Sequence, residues 1–175
     1  MGNDLLTYIQ RLELIAFFAG YPLIYAIVYT IAGSKYKVQN SFSCRMVKCL
    51  PFAYALSGTL FLGLMLKDLY PDYSLNHISD QFQAPYLIAW GISSLLFWIP
   101  LFSKKTFLSL LHSFVFFFLL LKDLFMYMNT SIDKEVIQND MKIYTTSLLV
   151  NAATFLSMLL IHIGLNAIRG NKKSS

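Results

Sequence analysis

The sequence predicts an all-α membrane protein: one polytopic domain over residues 1–175, built as a bundle of five transmembrane helices with the N-terminus outside and the C-terminus cytosolic. Three observations predict it. Hydrophobic residues make up 57% of the chain and charged ones only 13%, about half the share of a soluble domain. Mean hydropathy is +0.56. The apolar residues gather into five runs, about 12–31, 46–70, 85–102, 107–128 and 144–168, each approaching the ~20 residues needed to cross a bilayer. The competing layout has four spans, with the short third run re-entrant or the first lying on the surface.

Charge sets the orientation. On the five-span layout Lys35, Lys37, Arg45, Lys48, Lys104, Lys105, Arg169, Lys172 and Lys173 share one side, and Arg11, Lys67, Lys122, Lys134 and Lys142 the other. Nine against five places the first group in the cytosol. All carboxylates fall opposite them: Asp4, Glu13, Asp68, Asp72, Asp80, Asp123, Asp133, Glu135 and Asp140. The basic residues sit in short loops between apolar runs, a pattern that does not make a nucleic-acid surface.

The first ten residues lack the basic stretch of a signal peptide, and Leu6 breaks the myristoylation pattern. In the first span, Pro22 is expected to kink the helix, with neighbouring helices or side chains satisfying the freed carbonyl. Tyr21, Tyr25 and Tyr29 recur every four residues and form one stripe. The stripe is expected to be either a helix–helix contact with its hydroxyls bonded to neighbouring backbone or the wall of a ligand cavity.

Cys44 and Cys49 flank the start of the second span on the cytosolic side, where thiols stay reduced, and their spacing without further ligands is a poor metal signal. The second span carries Ser57-Gly58-Thr59 and the third Gly91, Ser93 and Ser94, small residues that let neighbouring helices approach. Pro100 lies near the end of the third span. The fourth is rich in Phe and Leu all round, so one flank is expected to face lipid.

One pattern occurs twice. Phe61–Tyr70 reads FLGLMLKDLY and Phe116–Phe125 reads FFFLLLKDLF. Either two helices met the membrane interface in the same way, or a two-helix unit was duplicated. Each copy ends in a Lys-Asp pair at snorkelling depth. Adjacent residues on a helix do not face each other, so cross-pairs Lys67 with Asp123 and Lys122 with Asp68 are the expected partners. With Glu13 these residues form an interfacial charge cluster.

Three polar side chains within the spans are candidates for chemistry. His112 and His162 each lie six residues in from the cytosolic end of spans four and five, about 9 Å deep. If those sequence neighbours pack antiparallel, two imidazoles at matched depth suit a metal or haem iron, proton transfer or a quinone. The bulky run from Phe114 to Leu121 leaves little room for a haem. Asn151 is expected to bond across to a neighbouring helix or to a ligand. No HExxH, GxSxG or phosphate-loop motif is present, so no catalytic residue is assigned.

The sequence therefore points to a small non-enzymatic integral membrane protein without a cofactor. It is expected to bind a small apolar or amphipathic ligand through Tyr21, Tyr25, Tyr29, His112, Asn151 and His162, or to assemble with itself or another membrane protein, possible roles including a pore or transporter subunit. The alternative is a membrane redox or lipid-modifying enzyme built on His112 and His162, with haem or quinone. The expected compartment is a bacterial cytoplasmic membrane. In a eukaryote, the Asn129-Thr130-Ser131 sequon and the Lys172-Lys173-Ser174-Ser175 tail would instead place it in the endoplasmic reticulum.

Overall fold

The computed structural model describes the backbone of residues 14–33, 35, 41–68, 70–71, 85–129 and 134–171, and side chains over 14–33, 35, 41–67, 70–71, 86–122, 125, 142–165 and 168. Among these residues every regular element is helical. Three helices are long and apolar enough to cross a membrane: Leu14–Ala32, Phe42–Lys67 and Lys142–Leu165. Two shorter apolar helices, Tyr86–Trp98 and Thr106–Lys122, accompany them.

Helix α1 (Tyr21–Ala32) follows helical residues 14–19 across a turn at Gly20. Pro22 explains the discontinuity, because its ring removes an N–H and crowds the preceding turn. Gly33 ends α1 at φ 52°, a conformation costly for any side chain, and its N–H returns to Tyr29 O. Helix α2 (Phe42–Asp68) begins four residues before the expected start at 46. Ser41 is the reason: its hydroxyl accepts from the Cys44 N–H at 3.1 Å, capping the first turn.

The third apolar run is not one helix. It divides into α3 (Pro85–Ser93), a 3-10 segment (Ser94–Trp98) and α4 (Pro100–Ser103). Ile99 between them is extended, at φ −78° and ψ 130°. The residue before a proline is driven out of the helical region, so Pro100 breaks the run that the sequence reading took as continuous over 85–102. Helices α5 (Thr106–Asn129) and α6 (Lys134–Asn171) complete the chain. At 1.5 Å per residue α6 is about 57 Å long, so its apolar part is only a portion of it.

Helix α2 is the hub and packs against every other element; α1 also touches α5 and α6. The sequence reading paired α5 with α6 as antiparallel neighbours. Among the described residues they share no substantial interface, and each packs on α1 and α2 instead. Contact registers give the chain directions. Phe17 and Phe18 meet Phe61 while Tyr21 meets Tyr54, so α1 and α2 are antiparallel. Gly91 abuts Phe61, Ser94 abuts Gly58 and Phe97 meets Tyr54, so the broken third run descends along α2. Phe18 stacks on Phe116 and Tyr29 reaches Thr106, so α5 opposes α1. Ser57 meets Thr154 and Cys49 meets Met158, so α6 opposes α2.

Phe18, fully buried, is the centre of the core. Its ring touches those of Phe17, Tyr54, Phe61 and Phe116 at centroid distances of 4.7–5.5 Å. Lipid tails are as apolar as these rings, so within a bilayer close packing rather than transfer from water must hold such a core. Offset and edge-on aromatic pairs add about 0.5–1.5 kcal/mol each beyond burial.

Candidate functional site: two buried polar clusters

The first cluster surrounds His112, half-buried on α5. Its Nδ1 lies 2.7 Å from the Tyr54 hydroxyl of α2, and its Nε2 lies 2.7 Å from Ser93 Oγ of α3. The Ser93 hydroxyl donates to Trp90 O at 2.6 Å, and Trp90 Nε1–H donates to His112 O at 3.2 Å. The two rings of Trp90 and His112 stack 4.4 Å apart at an interplanar angle of 4°.

Hydrogen counting assigns the protons. Ser93 has one hydrogen and gives it to Trp90 O, so it accepts from His112 Nε2–H. A neutral imidazole then has an acceptor at Nδ1, which takes the Tyr54 O–H. Every group in the circuit is satisfied. The opposite direction, Ser93 to His112 to Tyr54, would set up a nucleophile and base oriented by a third group. It would leave the Tyr54 hydrogen without an acceptor among the described residues, a costly state in a low-dielectric interior.

The second cluster centres on Asn151, 1% exposed on α6. Its Nδ2 donates to Phe17 O and to Ser147 O, both at 2.9 Å. Ser147 Oγ accepts from the Gly20 N–H at 2.9 Å. These two residues therefore bond backbone groups on the N-terminal side of the Pro22 break, Phe17 O and Gly20 N–H; the carbonyl that Pro22 itself frees is that of Phe18. Ser57 Oγ of α2 lies 3.0 Å from Thr154 Oγ1, 3.2 Å from Ala53 O and 3.4 Å from Asn151 Oδ1. Ser147, Asn151 and Thr154 follow helical spacing, so one face of α6 carries the whole seam. Ser94 Oγ is the one buried side-chain polar atom without a partner among the described residues.

The tyrosine stripe turns inward. Tyr21 and Tyr25 are buried and Tyr29 is half-buried. Tyr21 bonds Ser109 at 2.9 Å and Tyr29 bonds Thr106 at 3.0 Å, fastening α1 to α5; Tyr25 stacks on Tyr29 at 4.5 Å. These bonds place the stripe in a helix–helix contact, made through side-chain hydroxyls of α5 where bonds to neighbouring backbone were expected. His162 is half-buried on α6. No hydrogen bond or ring contact joins it to His112, whose two nitrogens are taken by Tyr54 and Ser93.

Of the interfacial charge cluster, Lys67 and Lys122 are exposed, while Glu13 and the side chains of Asp68 and Asp123 lie outside the described residues. Both cysteines are free thiols, Cys44 half-buried and Cys49 buried. Among the described residues no three His, Cys, Asp or Glu side chains gather as metal ligands would.

The sequence reading missed Tyr54, Trp90 and the hydrogen-bonding role of Ser93. A signal existed: each is a lone polar-tipped side chain within an apolar run, and such tips seek partners. Comparison with protein-family models, with curated proteins and with solved structures finds no match to this chain.

Proposed function

We propose that the protein is a five-span integral membrane protein, N-terminus outside and C-terminus cytosolic, that works by lateral assembly in the bilayer, with itself or with another membrane protein. The alternating directions of the five apolar runs support the span count. The nine-to-five distribution of basic residues supports the orientation.

One observation carries the assembly reading. In the most apolar stretch of α6 only 22% of residues are buried, against 56% in each of the other two long apolar helices. The inner face of α6 is spent on Ser147, Asn151 and Thr154. Its outward side includes exposed Ala153, Ser157 and Gly164, with open space around Gly164 where a side chain would stand. Small residues at i, i+4 and i+11 lie along one side of a helix and allow close approach of another. Of the polar residues that suggested a ligand or redox site, His112 is bonded to Tyr54 and Ser93, and Asn151 to Phe17, Ser147 and Ser57.

Cysteine crosslinking in native membranes tests this. In a chain carrying Cys44→Ser and Cys49→Ala, Ser157→Cys is expected to give a crosslinked species, a dimer or a complex with a second protein. Phe118→Cys, on the outward side of α5, is expected to remain uncrosslinked. Equal behaviour of the two positions, or no crosslink at Ser157→Cys, would sink the assembly reading.

A further inference from the structure

The end of the molecule opposite the repeated Lys-Asp pairs bears a group of cations without a carboxylate partner among the described residues. Three contacts bring them together. Ser41 Oγ donates to Lys35 O at 2.9 Å and Arg45 N–H donates to Ser41 O at 3.2 Å, setting Lys35 beside the first turn of α2. Lys48 follows one turn on. The Tyr29–Thr106 bond holds the end of α1 at the start of α5, next to Lys104 and Lys105. Lys35, Lys48, Lys104 and Lys105 are exposed, and Arg45 is half-buried.

No Asp or Glu occurs between Glu13 and Asp68, or between Asp80 and Asp123. The carboxylates nearest these cations in sequence therefore flank the far ends of the same apolar runs. From Lys48 and Arg45 to Asp68, and from Lys105 and Lys104 to Asp123, that is a distance of about 27–35 Å along the helices, several Debye lengths at physiological salt. An ion pair with Asp68 or Asp123 is out of reach for this group.

We infer that this end is a binding surface for anionic phospholipid headgroups, with Lys35, Arg45, Lys48, Lys104 and Lys105 as its cations. The inference rests on the membrane-spanning reading above. A phosphodiester headgroup is the anion that a cation at a helix end meets in a bilayer. Lysine suits it as a flexible point charge, and the half-buried Arg45 as a planar fork for two phosphate oxygens. Clusters of four to eight such residues beside a membrane span are known to select anionic lipid.

The test uses the full chain in nanodiscs containing equal amounts of phosphatidylglycerol and phosphatidylcholine, with native mass spectrometry of the lipids retained on release. Wild type is expected to retain phosphatidylglycerol about threefold over its bulk share. The triple variant Lys48→Gln, Lys104→Gln, Lys105→Gln is expected to lose that enrichment. The control Lys67→Gln, Lys122→Gln at the other end is expected to keep it. Retention at the bulk ratio by wild type, unchanged enrichment in the triple variant, or capture of inorganic phosphate in place of lipid would overturn the inference. Failure of the spanning reading is a separate result: the protein would then be released from membranes by alkaline carbonate, whatever lipid it retains.

Discussion

Asn151 donates from its side-chain amide to the backbone carbonyl of Phe17, 2.9 Å away on another helix. The contact ties α6 to the backbone one turn before the proline break. Pro22 breaks the backbone ladder, and α6 supplies Asn151 and Ser147 to groups on the N-terminal side of the break. Asn151→Leu keeps the branched shape, is somewhat bulkier, and removes both donors and the Oδ1 acceptor. It is expected to destabilise the bundle by about 1–2 kcal/mol, the range for interhelical polar contacts. Ser157→Ala, on the outward side, is expected to change the folded monomer by less than about 0.5 kcal/mol. Unfolding in mixed micelles with increasing dodecyl sulfate, followed by circular dichroism, compares the two. Equal midpoints would show that the contact contributes nothing.

The stacked pair of Trp90 and His112 makes the first cluster visible to spectroscopy. The chain has two tryptophans, so Trp98→Phe leaves Trp90 as the only one. In that background, His112→Leu removes both the stacked ring and the two 2.7 Å bonds. Trp90 fluorescence and near-ultraviolet dichroism are expected to change clearly. Tyr54→Phe removes one donor and leaves the stack, so it is expected to cost about 1 kcal/mol with a smaller spectral change. If His112→Leu leaves the Trp90 spectrum unaltered, the two rings are not stacked and the proton circuit drawn around them fails.

How much of this was legible in the sequence depends on the kind of signal. Pro22 announced its own break, and a lone Asn151 within an apolar span announced a bond across helices. Both are local facts with few physical solutions. The twofold KDL pattern also carried information. Phe61 and Phe116, the first residues of the two copies, are both buried against Phe18. Met65 and Leu120, four residues on, are both buried, and Lys67 and Lys122 are both exposed. The copies thus stand in matching register around one ring. The break at Ile99 was legible in principle, since Pro100 restricts the residue before it, but a run of apolar residues masked it. The arrangement of helices was not legible. An antiparallel order is forced by short loops, yet whether α5 packs on α6 or on α1 and α2 is decided by which side chains interdigitate. No spacing in one helix reports that. For the same reason His112 and His162, matched in depth on paper, find different surroundings.

Three glycines mark the places where helices approach most closely, and they give a graded prediction. A Cβ added at Gly20 would stand 2.9 Å from the backbone of Leu148, which has nowhere to move. At Gly91 it would stand 2.5 Å from the ring edge of Phe61, and at Gly58 it would collide with Ser94 Oγ, a movable side-chain atom. At Gly63 and Gly164 nothing lies within 4 Å. Replacing Gly by Ala in an open helical position gains up to about 1 kcal/mol from propensity. Overpacking costs about 1–3 kcal/mol. Gly20→Ala is therefore expected to be the most destabilising of the set, Gly91→Ala and Gly58→Ala intermediate, and Gly63→Ala neutral or stabilising. Because the worst of the Gly58 clash is with a hydroxyl that has no hydrogen-bond partner among the described residues, while Ser94 Cβ stays 3.1 Å away, adding Ser94→Ala to Gly58→Ala is expected to restore part of the lost stability. The same addition to Gly91→Ala is expected to restore nothing. Thermal unfolding in detergent ranks the single variants and measures the coupling in the two pairs. If Gly63→Ala destabilises as much as Gly20→Ala, the close approach of Gly20 to α6 is not where these contacts put it; if the Gly58 and Ser94 changes simply add, the same holds for the crossing of α2 with the broken third run.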